Sequence, residues 1–127
     1  MSTKALVSVV DDDESVRESL PDLLQELGYA ARIFASAEEF LSSDGVDRTD
    51  CLLLDIAMPG MSGPELHRAL VDAGHRMPVI YITANGDEAI RARMLALGAT
   101  ECLLKPFTDH ALEDALDAAL RPDAPHP

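Results

Sequence analysis

Five short apolar runs alternate with five helical patterns along this chain, and that alternation restricts the fold more than any other feature. The runs cover residues 5–10 (ALVSVV), 30–34 (AARIF), 51–55 (CLLLD), 78–83 (PVIYIT) and 101–105 (ECLLK). The first, third and fourth are almost continuous in Val, Ile and Leu, as strands buried on both faces are. Between the first two, Val16, Leu20, Leu23, Leu24 and Leu27 recur at helical spacing, and Gly28 ends the pattern. Pro21 lies inside it and deprives the Arg17 carbonyl of a donor, yet the apolar stripe continues past it. One kinked helix is therefore expected, not two.

The remaining helices are read in the same way. Ser36 with Glu39 three residues on is a capping-box signature for the second helix. The third spans residues 63–73 and is closed by Gly74. The fourth spans 87–97 and is closed by Gly98. The fifth starts at a Thr108 cap and places Leu112, Ala115, Leu116, Ala119 and Leu120 on one face. Strand–helix alternation of this kind predicts an α/β domain, a doubly wound five-stranded parallel sheet with helices on both faces. The expected domain is 1–121, followed by a short Pro-rich tail at 122–127. A chain of 127 residues suits one such core.

Composition excludes several classes. No apolar run reaches the ~18 residues a membrane helix needs. The N-terminal stretch lacks the h-region of a signal peptide, so a cytoplasmic location is expected. The formal net charge is -13, and Lys4 and Lys105 are the lysines. Nucleic-acid binding requires clustered cations to displace counterions, so nucleic acid is not an expected partner. Cys51 and Cys102 lie in apolar runs and read as small buried side chains without a disulfide. His67, His75, His110 and His126 show no metal-ligand spacing.

The stretch VVDDDE at 9–14 places four carboxylates directly after the first strand. Two unit charges about 4 Å apart repel by roughly 1 kcal/mol in water and about 4 kcal/mol near a protein surface. The placement of the other polar residues makes that cost intelligible. Asp11 and Asp12 follow strand one, Asp55 ends strand three, Thr83 ends strand four and Lys105 ends strand five. Strand C-termini of an open parallel sheet form one rim, and ligands bind where the strand order reverses. With the order 2-1-3-4-5, Asp11, Asp12 and Asp55 surround that crevice, and Thr83 and Lys105 stand on its far side.

Convergent carboxylates suit a hard divalent cation such as Mg²⁺, with Mn²⁺ as a second candidate. Adding Lys105 and the Thr83 hydroxyl gives a site suited to phosphoryl charge, with Asp55 as the carboxylate nucleophile. Each residue alone has a plainer reading. Asp13 and Glu14 read as helix-start acids favoured by the helix dipole. Thr83 alone would be a strand residue, Lys105 a surface lysine, and MPGMSG a turn. The convergence of the set is what argues for chemistry.

The segments VVDDDESVR, LLLDIAMPGMSG, PVIYITANG and LLKPF, in that order and spacing, resemble the receiver domain of two-component response regulators, the family of the chemotaxis protein CheY. The resemblance covers about residues 4–121 and implies a flavodoxin-like (βα)5 fold. It implies that Asp55 is the phosphoacceptor. Asp12, Asp55 and the backbone carbonyl of Ala57 would hold Mg²⁺ directly, with Asp11 acting through water. Thr83 would bond the phosphoryl oxygen and move on phosphorylation. Lys105 would pair with the phosphoryl group or with Asp55, and the small Ala84 would leave that group accessible. The bond to Pro106 would be cis.

The resemblance also implies partners. These are a sensor histidine kinase or phosphotransfer protein, and a downstream protein target. The target would meet the face made by the fourth predicted helix, the fifth strand and the fifth helix, where Arg91, Arg93 and Glu101 lie. The same face would serve a homodimer formed on phosphorylation.

Two features colour the pattern. The aromatic that receivers often carry three residues before the lysine is Cys102 here. Thr83 and its loop alone, Tyr81 or Phe107 are the substitutes to consider. Ala57 and Asn85 occupy positions that tune loss of the phosphoryl group, and Ala57 favours a long-lived phosphoprotein. Two other functions remain to be weighed. One is a small phosphatase of the haloacid-dehalogenase type, using the Asp11–Asp13 DxD. The other is a receiver-like scaffold that binds partners without phosphorylation.

Overall fold

The computed structural model describes residues 4–84, 86 and 88–120. The elements run β1 (Leu6–Val10), α1 (Glu14–Glu26), β2 (Ala30–Phe34), α2 (Ala37–Leu41), α3 (Gly45–Arg48), β3 (Cys51–Asp55), α4 (Gly63–Asp72), β4 (Val79–Thr83), α5 (Glu88–Ala96), β5 (Glu101–Leu104) and α6 (Asp109–Leu120). The five strands form one parallel sheet in the order β2-β1-β3-β4-β5. The doubly wound parallel sheet expected from the alternation is the observed one, and its strand order is that of the flavodoxin-like fold implied by the resemblance.

Strand periodicity splits the core in two. Val10, Leu52, Leu54, Val79, Tyr81 and Cys102 pack against Phe40, Leu66, Leu70 and Met94, so α2, α4 and α5 cover one face. Val7, Val9, Leu53, Ile80 and Ile82 pack against Leu20, Leu24, Leu112 and Leu116 of α1 and α6 on the other. β3 and β4 are buried at every residue, which is why both read as continuous apolar runs. Each fully buried leucine contributes about 2 kcal/mol of transfer free energy.

The element ends follow the local signals. Asp13 caps α1, accepting from the Ser15 amide at 3.0 Å. Ser36 Oγ accepts from the Glu39 amide at 3.1 Å, and Thr108 Oγ1 from the Ala111 amide at 3.0 Å. Ser62 and Glu65 add a complete capping box at α4. Gly28, Gly74 and Gly98 follow α1, α4 and α5 with φ of 95°, 88° and 107°, the left-handed stop that glycine adopts without strain.

α1 runs through Pro21 as one helix, as expected. The short α3 was not anticipated, so the fourth and fifth predicted helices are α5 and α6. Leu97 lies 52% exposed outside the core, whereas Met94 is 3% exposed, because α5 turns only a narrow stripe inward. Asn85 and the Pro-rich tail lie outside the described residues. Among the described residues, no helix is long and apolar enough to cross a membrane.

Candidate functional site

Parallel pairing sets the geometry of the rim. β1 pairs with β3 from Val7–Cys51 to Val10–Leu54, so Asp11 and Asp55 emerge side by side. Asp11, Asp12 and Asp55 each offer a carboxylate oxygen, and these oxygens lie within 4.8 Å of one another. Asp11 is fully buried and Asp55 is 6% exposed, while Asp12 faces solvent. The crevice is therefore a buried pair of carboxylates with a third at its mouth.

Local bonds fix these acids. The Asp13 amide donates to Asp11 Oδ1 at 2.9 Å, and Arg17 Nη1 donates to the Asp11 carbonyl at 3.0 Å. The β1–α1 turn is thus tied from both sides. The Ala57 amide approaches Asp55 Oδ1 at 3.4 Å. Asp11 Oδ2 has the Lys105 ammonium 2.8 Å away, but makes no well-aligned hydrogen bond. The resemblance implied that Lys105 pairs with Asp55 or a phosphoryl group; in this structure the ammonium rests on Asp11. Lys105 reaches the rim because its amide donates to the Thr83 carbonyl at 2.7 Å, extending the β4–β5 pairing past Leu104. The Lys105–Pro106 bond is cis, as expected.

The electrostatics follow from this crowding. Burial, and then the charge of Asp11, push the Asp55 carboxyl up to about 7, although Lys105 pulls the other way. Burial pulls Lys105 down, but its contact with Asp11 and the charges of Asp55 and Asp13 outweigh it and hold the ammonium above its usual range. A divalent cation fits this donor set on two grounds: three hard oxygen donors converge, and three carboxylates face the single Lys105 ammonium, which rests on Asp11.

Thr83 is 8% exposed at the end of β4, beside the exposed Ala84. Ala57 is exposed on the loop after β3 and Pro106 just beyond Lys105. The structure thus gathers Asp11, Asp12, Asp55, Thr83, Ala84, Lys105 and the Ala57 loop at one rim.

The Cys102 position is also resolved. Cys102 is 7% exposed and pairs across the ladder with Tyr81. Phe107 packs on the opposite face, with the α1 and α6 core, and so does not fill this place. Tyr81 lies in the same core as Cys102, fully buried, its hydroxyl 2.8 Å from His67 Nδ1. Histidine spacing alone gave no sign of this pair. The available signal was the position of His67 beside Leu66 and three before Leu70, on the inward stripe of α4.

Burial lowers the His67 pKa below its usual value. Below pH ~6.5 the unfolded chain therefore takes up a proton that folded His67 resists, and stability falls as pH drops through that range. His67→Phe should lose that part of the pH slope. It should also cost about 1–3 kcal/mol at neutral pH, because the Tyr81 hydroxyl is left buried without its partner. Urea melts of both proteins between pH 5 and 8 check this, and parallel slopes would count against it.

Comparison with known proteins agrees with this geometry. Residues 7–117 match the family model of the response regulator receiver domain. Nodulation protein W of Bradyrhizobium diazoefficiens is 43% identical over 122 residues, covering 96% of this chain and 54% of that protein. The transcriptional regulatory protein TdiR of Thauera aromatica is 40% identical over 114 residues, covering 90% of this chain and 50% of that protein. The chain thus spans about half the length of these relatives. The crystal structure of chemotaxis protein CheY4 from Vibrio cholerae superposes with a TM-score of 0.83 at 30% identity, covering 93% of this chain and 100% of that one. The family match and the parallel sheet ending in an acidic rim lead to one assignment: the chain belongs to the response regulator receiver domain family.

Proposed function

We propose that this domain is a phosphorylation-controlled signalling module whose phosphoacceptor is Asp55. The observation that carries the reading is the convergence of Asp11, Asp12 and Asp55 at the rim, with Lys105 2.8 Å from Asp11. An Asp55 carboxylate oxygen attacks the phosphorus of a phosphohistidine on a sensor kinase or phosphotransfer protein. The new P–O bond forms as the P–N bond breaks, and the histidine nitrogen leaves with the electron pair. Lys105 supplies fixed positive charge, and the Thr83 hydroxyl donates to a phosphoryl oxygen. Asp11, Asp12, Asp55 and the Ala57 carbonyl would hold Mg²⁺, which when bound supplies charge neutralisation for the carboxylates and the phosphoryl oxygens.

The output surface in this reading is the α5–β5–α6 face, for a downstream protein or a second copy. Arg91 on α5 meets Glu101 on β5 at 2.9 Å, and Leu97 and Leu104 are 52% and 49% exposed there. The phosphatase alternative loses its DxD, since Asp13 is engaged as the α1 cap, accepting from the Ser15 amide and hydroxyl. The family match also speaks against it.

The test is intact-mass spectrometry after incubation with acetyl phosphate, with Mg²⁺ or with EDTA. One added phosphoryl group with Mg²⁺ and none with EDTA is the expected result. No addition in Mg²⁺, from either acetyl phosphate or a phosphorylated histidine phosphotransfer protein, would favour the phosphorylation-independent scaffold.

A further inference from the structure

The loop joining β3 to α4 carries the Ala57 carbonyl and begins at Asp55, so its shape sets the site. Its base is closed where the Gly63 amide donates to the Ile56 carbonyl at 3.0 Å. Met58 anchors it in the core at 8% exposure. Its tip turns at Gly60, with φ of 77°. There the Met61 amide donates to Glu38 Oε2 at 3.2 Å. A Cβ placed on Gly60 would stand 2.9 Å from that same oxygen, so the carboxylate lies directly against the turn.

Glu38 belongs to none of the elements that carry the rim acids. It sits in the first turn of α2, whose neighbouring Ala37 and Phe40 are fully buried. Its stem therefore projects from a fixed element, and its carboxylate clasps a loop 23 residues further along the chain. We propose that Glu38 is a positioning residue for the metal and phosphoryl site. It holds the tip of the β3–α4 loop so that the Ala57 carbonyl is presented beside Asp55. This inference rests on the proposed function for its chemistry and on the clasp alone for its geometry.

Two variants separate the hydrogen bond from the charge. Glu38→Gln keeps an oxygen that accepts from the Met61 amide, whereas Glu38→Ala removes it. Calorimetric titration with Mg²⁺ should show Glu38→Ala binding about fivefold more weakly than the parent, the size of one modest hydrogen bond. Glu38→Gln should stay within about twofold. The rate of phosphorylation by acetyl phosphate should fall in Glu38→Ala at limiting Mg²⁺ and recover at saturating Mg²⁺, a pattern that general loss of stability would not give.

Equal Mg²⁺ affinity in Glu38→Ala and the parent would overturn the proposal. Equal weakening in both variants would also overturn it, by assigning the effect to charge alone. The titration uses no phosphoryl donor, so its result stands apart from the phosphorylation reading. That reading fails instead if Asp55→Asn still gains a phosphoryl group.

Discussion

Asp55→Asn should abolish phosphorylation and yet make the metal-free protein more stable. The amide is isosteric but lacks the anionic oxygen that attacks phosphorus, so the mass spectrum should show no addition under conditions that modify the parent. The stability gain comes from charge. The carboxylate oxygens of Asp11, Asp12 and Asp55 lie within 4.8 Å of one another. At such distances a pair of like charges repels by about 3 kcal/mol when the effective dielectric is ~20. Lys105 already rests on Asp11 and offsets part of this. A net gain of about 1–2 kcal/mol is expected in EDTA, raising the melting temperature by roughly 4–8 °C.

The pH dependence of that gain has a definite sign. Asp55 is pushed up to about 7 in the folded chain, against 3.8 when unperturbed. Its ionisation penalty is therefore full above pH ~7, shrinks as pH falls, and vanishes below pH ~3.8, where both states are neutral. The advantage of Asp55→Asn should be larger at pH 8 than at pH 5. Added Mg²⁺ should raise the melting temperature of the parent and leave the variant nearly unchanged, since ligand binding stabilises only a folded state that holds the site. Equal melting temperatures in EDTA at pH 8 would mean that solvent screens the cluster.

Gly63→Ala should be the most damaging small substitution near the site. A methyl group on Gly63 would stand 2.3 Å from the Asp55 carbonyl oxygen and 3.1 Å from the Asp55 carbonyl carbon and the Ile56 Cα. All three are backbone atoms, so no rotamer change relieves the clash. The φ of Gly63 is not positive, so the requirement is for space and not for glycine's conformational range. To make room, α4 must back away from β3, stretching the bond from the Gly63 amide to the Ile56 carbonyl. Overpacking of this kind costs about 3 kcal/mol, or roughly 12 °C in melting temperature. Thermal melts would show it, and Mg²⁺ affinity should fall with it because the displaced segment leads into Asp55. A parent-like melt would show that the loop absorbs the strain.

How much of this was legible depended on the range of the interactions. The strands were readable because burial of β3 and β4 on both faces leaves Val, Ile and Leu at nearly every position. The rim was readable because parallel topology sends every strand end to the same side, which turns five scattered polar residues into one place. Helix caps were readable because a cap bonds its own backbone two or three residues on. The four-residue α3 was not, since it is too short to show an apolar period and its residues read as turn formers. The partner of Lys105 was not either. Asp11 and Asp55 stand side by side, and spacing along the chain does not separate them as partners for Lys105. The His67–Tyr81 bond and the Glu38 clasp span 14 and 23 residues, and nothing in local spacing announces them.

The His67–Tyr81 bond also makes the protein its own optical instrument. The chain has no tryptophan and two tyrosines, so its tyrosine emission arises from Tyr29 and Tyr81 without a tryptophan background. Tyr29 lies at the edge of the α1 and α6 core, whereas Tyr81 is fully buried two residues ahead of Thr83. An imidazole 2.8 Å from the phenol is placed to accept its proton in the excited state and so dim its emission. A rearrangement that pulls the end of β4 toward the rim would lengthen that contact and brighten the signal. If the proposed phosphorylation moves β4, the unlabelled domain carries a fluorescent gauge on that strand.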